Sequence, residues 1–491
     1  MPQSITFDET PSDWRVPGTY VEIRPTYGRI GIVDYPTKVL LVGQATTAST
    51  GPRNVPVLAT RDDDASSRFG AGSQIDAMLR MFRRANLTSQ VWIMGQADPV
   101  GGVAATGTIV LTGSPSASGQ FSVNIAGRRV SIPVAASATV TAITAALAVA
   151  VNAITLLPVT ATASTGTLTL TSKHTGVLGN DIDIRLNPLA GDVTPAGLTA
   201  AVTAMASGAG VPDVAVSLAA IAATWFTDFA FGASDAASAA LIEAELATRY
   251  RANGRMDGHA YFGLRGTHGE LTALGAARNS PYRSGIGAKA AGSPPWEWAA
   301  SLCARGAFYL AQDPARQMRS LTLPGIVGPA PANLFTPAEQ HLLLLDGIST
   351  FDVQADGTVA LSRVITTYQT NSLGAADDAW LDIMVPRTMS RIRYDWWTYV
   401  TLNYPRHKLT DDDSPAAEAS DSVVTPRQMH GSWAGRCKLY ERLGWIEDVK
   451  RTLAESLFQR DPDNRNRMQS RKRARIIGNL MQMFDALEFE A

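Results

Sequence analysis

Apolar positions recur with two different periods along this chain, and the changes of period mark its parts. Residues 1–37 read as an extended arm, since Pro11, Pro17, Pro25 and Pro36 forbid a long helix. Within the arm, Tyr20, Val21, Glu22, Ile23 and Arg24 alternate like a half-buried strand. Lys38-Val-Leu-Leu-Val-Gly43 predicts a buried strand, and Val91 to Met94 predicts another. Between them Ser73 to Ala85 predicts a helix, with Ser73 as N-cap and Ile75, Met78, Leu79 and Phe82 as its apolar stripe. Strand, helix and strand in that order predict a right-handed crossover in an α/β layer.

From about residue 101 the pattern becomes short alternating strands between Gly/Ser turns: Thr106 to Thr112, Gln120 to Ile125, Arg129 to Ile132 and Thr167 to Thr171. Val140, Ile143, Leu147, Val151 and Ile154 recur every three or four positions, which is one stripe of an amphipathic helix and not a membrane span. Residues 101–190 therefore predict a β-rich domain inserted into the α/β core. The core pattern resumes near 212. Val214 to Val216, Phe229 to Phe231 and His259 to Gly263 predict strands, and Ala236 to Tyr250 a helix. Phe351 to Leu361 predicts a hairpin, with Asp356-Gly357 as a type I′ turn. An acidic loop from Asp411 to Asp421 precedes helical residues near 427–458, a basic run, and a tail that alternates from Phe484 to Glu490. The fold class is thus α/β (α+β overall). Its parts are a discontinuous core at 38–100 and 191–385, the insert, a C-terminal α+β domain at 386–491, and an extended arm at each end.

Composition adds one puzzle. Charged residues are 18% of the 491, against about 25% in ordinary soluble chains. Residues 101–200 carry only Arg128, Arg129, Lys173, Arg185, Asp181, Asp183 and Asp192. A net charge of −1 supplies no field to draw the chain onto nucleic acid or an anionic membrane. Cys303 and Cys437 are the two cysteines, which excludes a disulfide scaffold or a Cys-rich zinc site and suits a reducing compartment. No basic segment followed by an apolar core opens the sequence, so no signal peptide is expected. A surface largely covered by partners would explain the low charge economically.

Catalytic signatures are missing: there is no G-x-S-x-G, H-E-x-x-H, G-x-x-x-x-G-K-[ST] or C-x-x-C. Gly285-Ile-Gly287 lacks the third glycine of a dinucleotide loop. Asp461 to Asn466 resembles a calcium loop but has Asn466 where glycine is needed, so a solvated turn is expected. His268 lies in a Gly-rich loop with no activated serine to pair with. Catalytic, metal and cofactor-binding residues are therefore expected to be none. Arg465, Arg467, Arg471, Lys472, Arg473 and Arg475 form a basic run without an acid. No aromatic residue interleaves it for base stacking, so a protein contact is the better expectation than nucleic acid.

Several ordered motifs resemble the contractile-tail sheath proteins of bacteriophages, most closely the Mu-like group. They are Val16-Pro-Gly-Thr-Tyr-Val-Glu22, Phe69 to Met78, Leu321-Thr-Leu-Pro-Gly-Ile326, Leu342 to Thr350, Arg363 to Gln369, Asp378 to Asp382 and Tyr404 to Leu409. The resemblance implies a subtilisin-like fold in the core, without the catalytic serine, and a structural protein rather than an enzyme. It implies a helical homo-polymer around a tail tube protein, bounded by baseplate and tail terminator proteins, whose contraction drives the tube through the host envelope during genome delivery. The location implied is the virion tail, assembled in the host bacterial cytoplasm. Tyr20, Val21, Glu22, Ile23 and Arg24 at one end, with Ala486, Leu487, Glu488 and Phe489 at the other, would exchange as strands between subunits. The basic run would touch the tube or a sister subunit, and the insert would project outward. The alternatives are the sheath of a genome-free, bacteriocin-like particle and an α/β hydrolase with a β-rich insert.

Overall fold

The computed structural model describes residues 15–19, 31–189 and 191–490; the Tyr20 to Arg24 segment lies outside the described residues. The core begins with Lys38–Gln44 (β1), Val57–Ala59 (β2), Asp64–Phe69 (α1), Gln74–Ala85 (α2) and Gln90–Gln96 (β3). Ser73 caps α2 by accepting from the Asp76 amide at 3.2 Å. Ile75, Met78, Leu79 and Phe82 are all fully buried against the sheet. β1 and β3 run parallel in full register, from Lys38 opposite Gln90 to Gln44 opposite Gln96.

The insert holds Ala104–Gly113 (β4), Gly119–Ile125 (β5), Arg128–Val134 (β6), Val140–Ala153 (α3), Val159–Ser164 (β7), Thr167–Thr175 (β8), Ile184–Leu186 (β9) and Leu198–Ala206 (β10). Its strands make two antiparallel sheets, β10-β4-β8-β7 and β6-β5-β9. Because β10 pairs with β4, the sheet extends past the boundary expected at 190, to 206. That strand is Thr/Ala-rich, and only Leu198 and Met205 are buried, so it carries no alternating large apolar residues to read. Most of the insert's few charges face its seams. Arg128 lies 3.5 Å from Glu297, Arg185 and Arg265 share Asp183, and Lys173 donates to the Ala71 and Thr155 carbonyls.

The core resumes with Val214–Ala220 (α4), Asp228–Phe231 (β11), Ala236–Tyr250 (α5), His259–Arg265 (β12), His268–Ala276 (α6), Arg283–Ala288 (β13), Pro295–Gln312 (α7), Pro337–Leu345 (α8), Ile348–Val353 (β14) and Val359–Arg363 (β15). Together they complete an eight-stranded sheet in the order β15-β14-β13-β12-β11-β1-β3-β2. It is parallel from β3 to β14, with antiparallel β2 and β15 as edges. Strands such as β11, β12 and β13 are buried almost throughout, as a sheet covered on both faces requires. Two local expectations fail. Val214 to Val216 is not a strand but the first turn of α4, capped by Asp213, whose carboxylate accepts from the Ala215 amide. A three-residue apolar run does not separate the two states. The β14–β15 hairpin forms, but its turn is not type I′: Gly357 has φ +84 while Asp356 is not left-handed. The Asp356 carboxylate instead accepts from the Thr358 amide, which suits a longer loop.

The C-terminal part contains Met384–Asn403 (α9), Lys408–Leu409 (β16), Pro415–Ala419 (α10), Val423–Val424 (β17), Pro426–Arg442 (α11), Val449–Ala454 (α12), Leu457–Arg460 (β18) and Met468–Arg471 (β19). It has its own small core around Ile392, Trp433, Tyr440, Trp445 and Ile446. α9 fastens it to the sheet. Buried Arg387 reaches Asp228 of β11 at 3.1 Å and the Thr227 carbonyl at 2.9 Å, and Arg393 pairs with Asp257. Tyr261 donates to the same Asp228, and its ring lies where a Cβ on Gly306 of α7 would come within 2.2 Å of the hydroxyl. Only glycine fits there.

Candidate assembly surfaces

Between α9 and α11 lies a fully buried polar cluster. Asp395 Oδ2 accepts from Arg436 Nε at 2.9 Å and from the Tyr440 hydroxyl at 2.5 Å. Burial, reinforced by the Asp395 carboxylate, raises the Tyr440 pKa. Burial likewise pushes the Cys437 thiol up to about 12 and, in the main core, the Cys303 thiol well above its usual range, which disfavours the reactive thiolate at both.

Next to this cluster β18 and β19 form a two-stranded antiparallel sheet whose outer edges pair with nothing else among the described residues. Most of the basic run sits here, and the structure disperses it. Arg467 pairs with Asp461, Arg473 with Glu455 at 3.4 Å, and Arg475 with Glu447 at 3.2 Å. Lys472 enters an aromatic cage, its Nζ lying 4.9 Å from the Trp396 ring centre, 5.3 Å from Phe458 and 5.6 Å from Trp433. Burial there lowers its pKa. Arg465 and Arg471 remain exposed. The aromatic partners were missed from the sequence because they come from α9, α11 and β18, and spacing within the run cannot show them. Asp461 accepts from the Asp463 and Asn464 amides, which makes the expected turn.

The C-terminal segment is held as far as Met481. Ile477 donates to the Trp445 carbonyl, Asn479 to the Ala315 carbonyl, and Arg319 donates to the Met481 carbonyl. Beyond that point residues 482–490 lie exposed as coil. Phe484, Leu487 and Phe489 are 89%, 94% and 86% exposed, an unusual state for residues of that size. Ala486 and Glu488 lie on the same stretch.

His268 starts α6, where its Nε2 is 3.1 Å from the Glu339 carbonyl and its ring packs on Phe335. The neighbouring cleft of about 260 Å³ is lined by Leu334, Phe335, Leu343, Phe351 and Val353, with Gln340, Thr350 and Asp352 as its side-chain polar groups. Among the described residues no three His, Cys, Asp or Glu side chains converge as metal ligands.

Residues 207–367 match the phage tail sheath protein central domain. Along the whole chain, the Mu-like prophage FluMu tail sheath protein of Haemophilus influenzae is 30% identical over 486 residues, covering 99% of each protein. The chain belongs to the phage tail sheath protein family. Solved structures similar to this sheath subunit include the sheath tail protein of Desulfitobacterium hafniense, at 13% identity and TM-score 0.47 over 94% of this chain and 100% of that one. The Listeria innocua sheath tail protein is 12% identical, with TM-score 0.49 over 91% and 93%. The contracted helical sheath of the anti-feeding prophage is 11% identical, with TM-score 0.49 over 97% and 99%.

Proposed function

We propose that the chain is the structural subunit of a contractile tail sheath, which polymerises helically around a tail tube and shortens to drive that tube through a host envelope. One observation supports this reading most. The chain ends in an exposed, acidic and apolar segment, and it also carries a basic two-stranded hairpin with both outer edges unpaired among the described residues. Residues 482–491 hold three acids and no base, while residues 457–475 hold seven basic and two acidic residues. A strand added to β18 or β19 would gain main-chain hydrogen bonds and bury alternate side chains. Donated to a second copy and repeated, such a contact between unlike patches generates a helix when the rotation from copy to copy does not close. Ala486, Leu487, Glu488 and Phe489 are the donated residues at this end, and Tyr20 to Arg24 serve at the other. Arg465 and Arg471 meet the incoming acids.

Contraction then moves the eight-stranded core and the insert as rigid bodies while the linked C-terminal parts stay connected. The insert points away from the tube, and the sheath's ends meet the baseplate and terminator proteins. No reaction is catalysed and no cofactor is consumed. Removing residues 480–491 tests the reading. The truncated chain should remain a folded monomer and give no tubes by electron microscopy; tubes of normal length would overturn strand donation.

A further inference from the structure

We infer that one face of α9, carrying Arg391 and Asp395, aims both terminal arms, which makes these two side chains positioning residues for assembly. They stand four positions apart and so share a helix face. Asp395 Oδ1 accepts from the Val33 amide at 3.3 Å, and Arg436, which Asp395 holds, lies 3.4 Å from the Gly31 carbonyl. Ile32 packs on the cluster containing Tyr440 and Trp445. The segment through which residues 1–30 join the body is therefore gripped at successive positions by α9 and α11.

Arg391 carries the same grip to the other end of the chain. Its guanidinium lies 5.5 Å from the Tyr35 ring and 5.6 Å from the Trp445 ring. The Trp445 carbonyl accepts from Ile477, and Glu447 donates to the Arg475 carbonyl at 2.8 Å. One guanidinium thus separates the roots of two arms that lie more than 400 residues apart in sequence. Arg391 is buried, yet its Nε and Nη1 have no hydrogen-bond partner, and burial lowers its pKa. Such a group lowers the stability of the isolated subunit. What it supplies is a rigid planar spacer between the two rings. Arg387 ties the same helix to β11 and Arg393 ties it to Asp257 in the loop before β12, so a rotation of the core relative to the C-terminal part reaches both arm roots through α9.

The inference rests on the arm-exchange reading, and the test separates the two. Polymerisation of the full chain is followed by sedimentation and electron microscopy in Val33→Pro, which removes the amide donor and stiffens the backbone there, in Val33→Ala, which keeps the donor, and in Arg391→Met, which fills the space without the charge. Val33→Ala should polymerise as the native chain does. Val33→Pro and Arg391→Met should each raise the critical concentration about tenfold or more, while the melting temperature of Arg391→Met stays level or rises. A purely structural role would not produce that combination. Native critical concentrations in either variant would overturn the inference. Deleting residues 1–30 addresses arm exchange by itself: tubes that persist without the arm would overturn that reading, and the inference with it, independently of the clamp.

Discussion

Replacing Leu487 and Phe489 together with serine isolates the apolar face of the C-terminal tail. Both side chains are almost fully exposed in the subunit, at 94% and 86%. Burying a side chain of that size stabilises a contact by about 1.5–3 kcal/mol, so the pair should cost the assembly about 4 kcal/mol per donated tail. At about 1.4 kcal/mol per decade, the critical concentration for polymerisation should rise by roughly three orders of magnitude. The monomer has nothing to lose, because residues 482–490 make no hydrogen bond within their own described subunit. The assay is therefore a pair of measurements: pelleting across a concentration series, and thermal unfolding under conditions that keep the chain monomeric. Unchanged pelleting would refute burial of this face in a neighbour. A lowered melting temperature would show that the tail packs on its own subunit instead.

Asp395→Ala removes the buried carboxylate that accepts from both Arg436 and Tyr440 and should lower monomer stability by about 3 kcal/mol, read as a shifted denaturant midpoint. His174 is buried at the edge of the insert against Trp296, both its ring nitrogens are unpartnered, and burial lowers its pKa to about 4, with Asp98 opposing. The unfolded chain takes up that proton near pH 6.5. Stability from this group is thus complete above about pH 6.5 and falls by up to about 3 kcal/mol as pH drops toward 4. His174→Phe should flatten that limb of a urea-midpoint profile; an unchanged slope would remove His174 as its cause. Cys303 and Cys437 should resist a thiol reagent in the native state and react fully in denaturant, with native-state labelling counting against their burial.

How much could be read in advance differs from one segment to the next. The α2 stripe was legible because Ile75, Met78, Leu79 and Phe82 repeat at the helical period and all four meet the sheet. The Lys38 and Val91 strands were legible because a parallel strand buried on both faces is apolar on both. β10 was not, since a Thr/Ala strand with two buried side chains has almost no period to detect. Val214-Ala-Val216 misled for a related reason: the Asp213 cap is local, but nothing in three apolar residues says which element they begin. The exposed tail was visible as an alternation of Leu487 and Phe489 with Glu488 and Glu490. The Lys472 cage and the Asp395 cluster were not visible at all.

The sequence by itself did not determine α7 or α9, the two longest helices, but it did determine α2, α3 and α5, the helical stretch over 427–458, the β1 and β3 strands and the absence of catalytic motifs. These follow from periodicity, caps and residue chemistry, which act over a few neighbouring positions. Only the tertiary structure decided that four of the six basic residues find partners within the chain, and that Arg391 lies between the Tyr35 and Trp445 rings. Such contacts join residues 31–35 to 391–395 and 445–477. Nothing along the chain encodes which distant side chains will share a dry interior, because that depends on how whole elements pack once their apolar faces are buried.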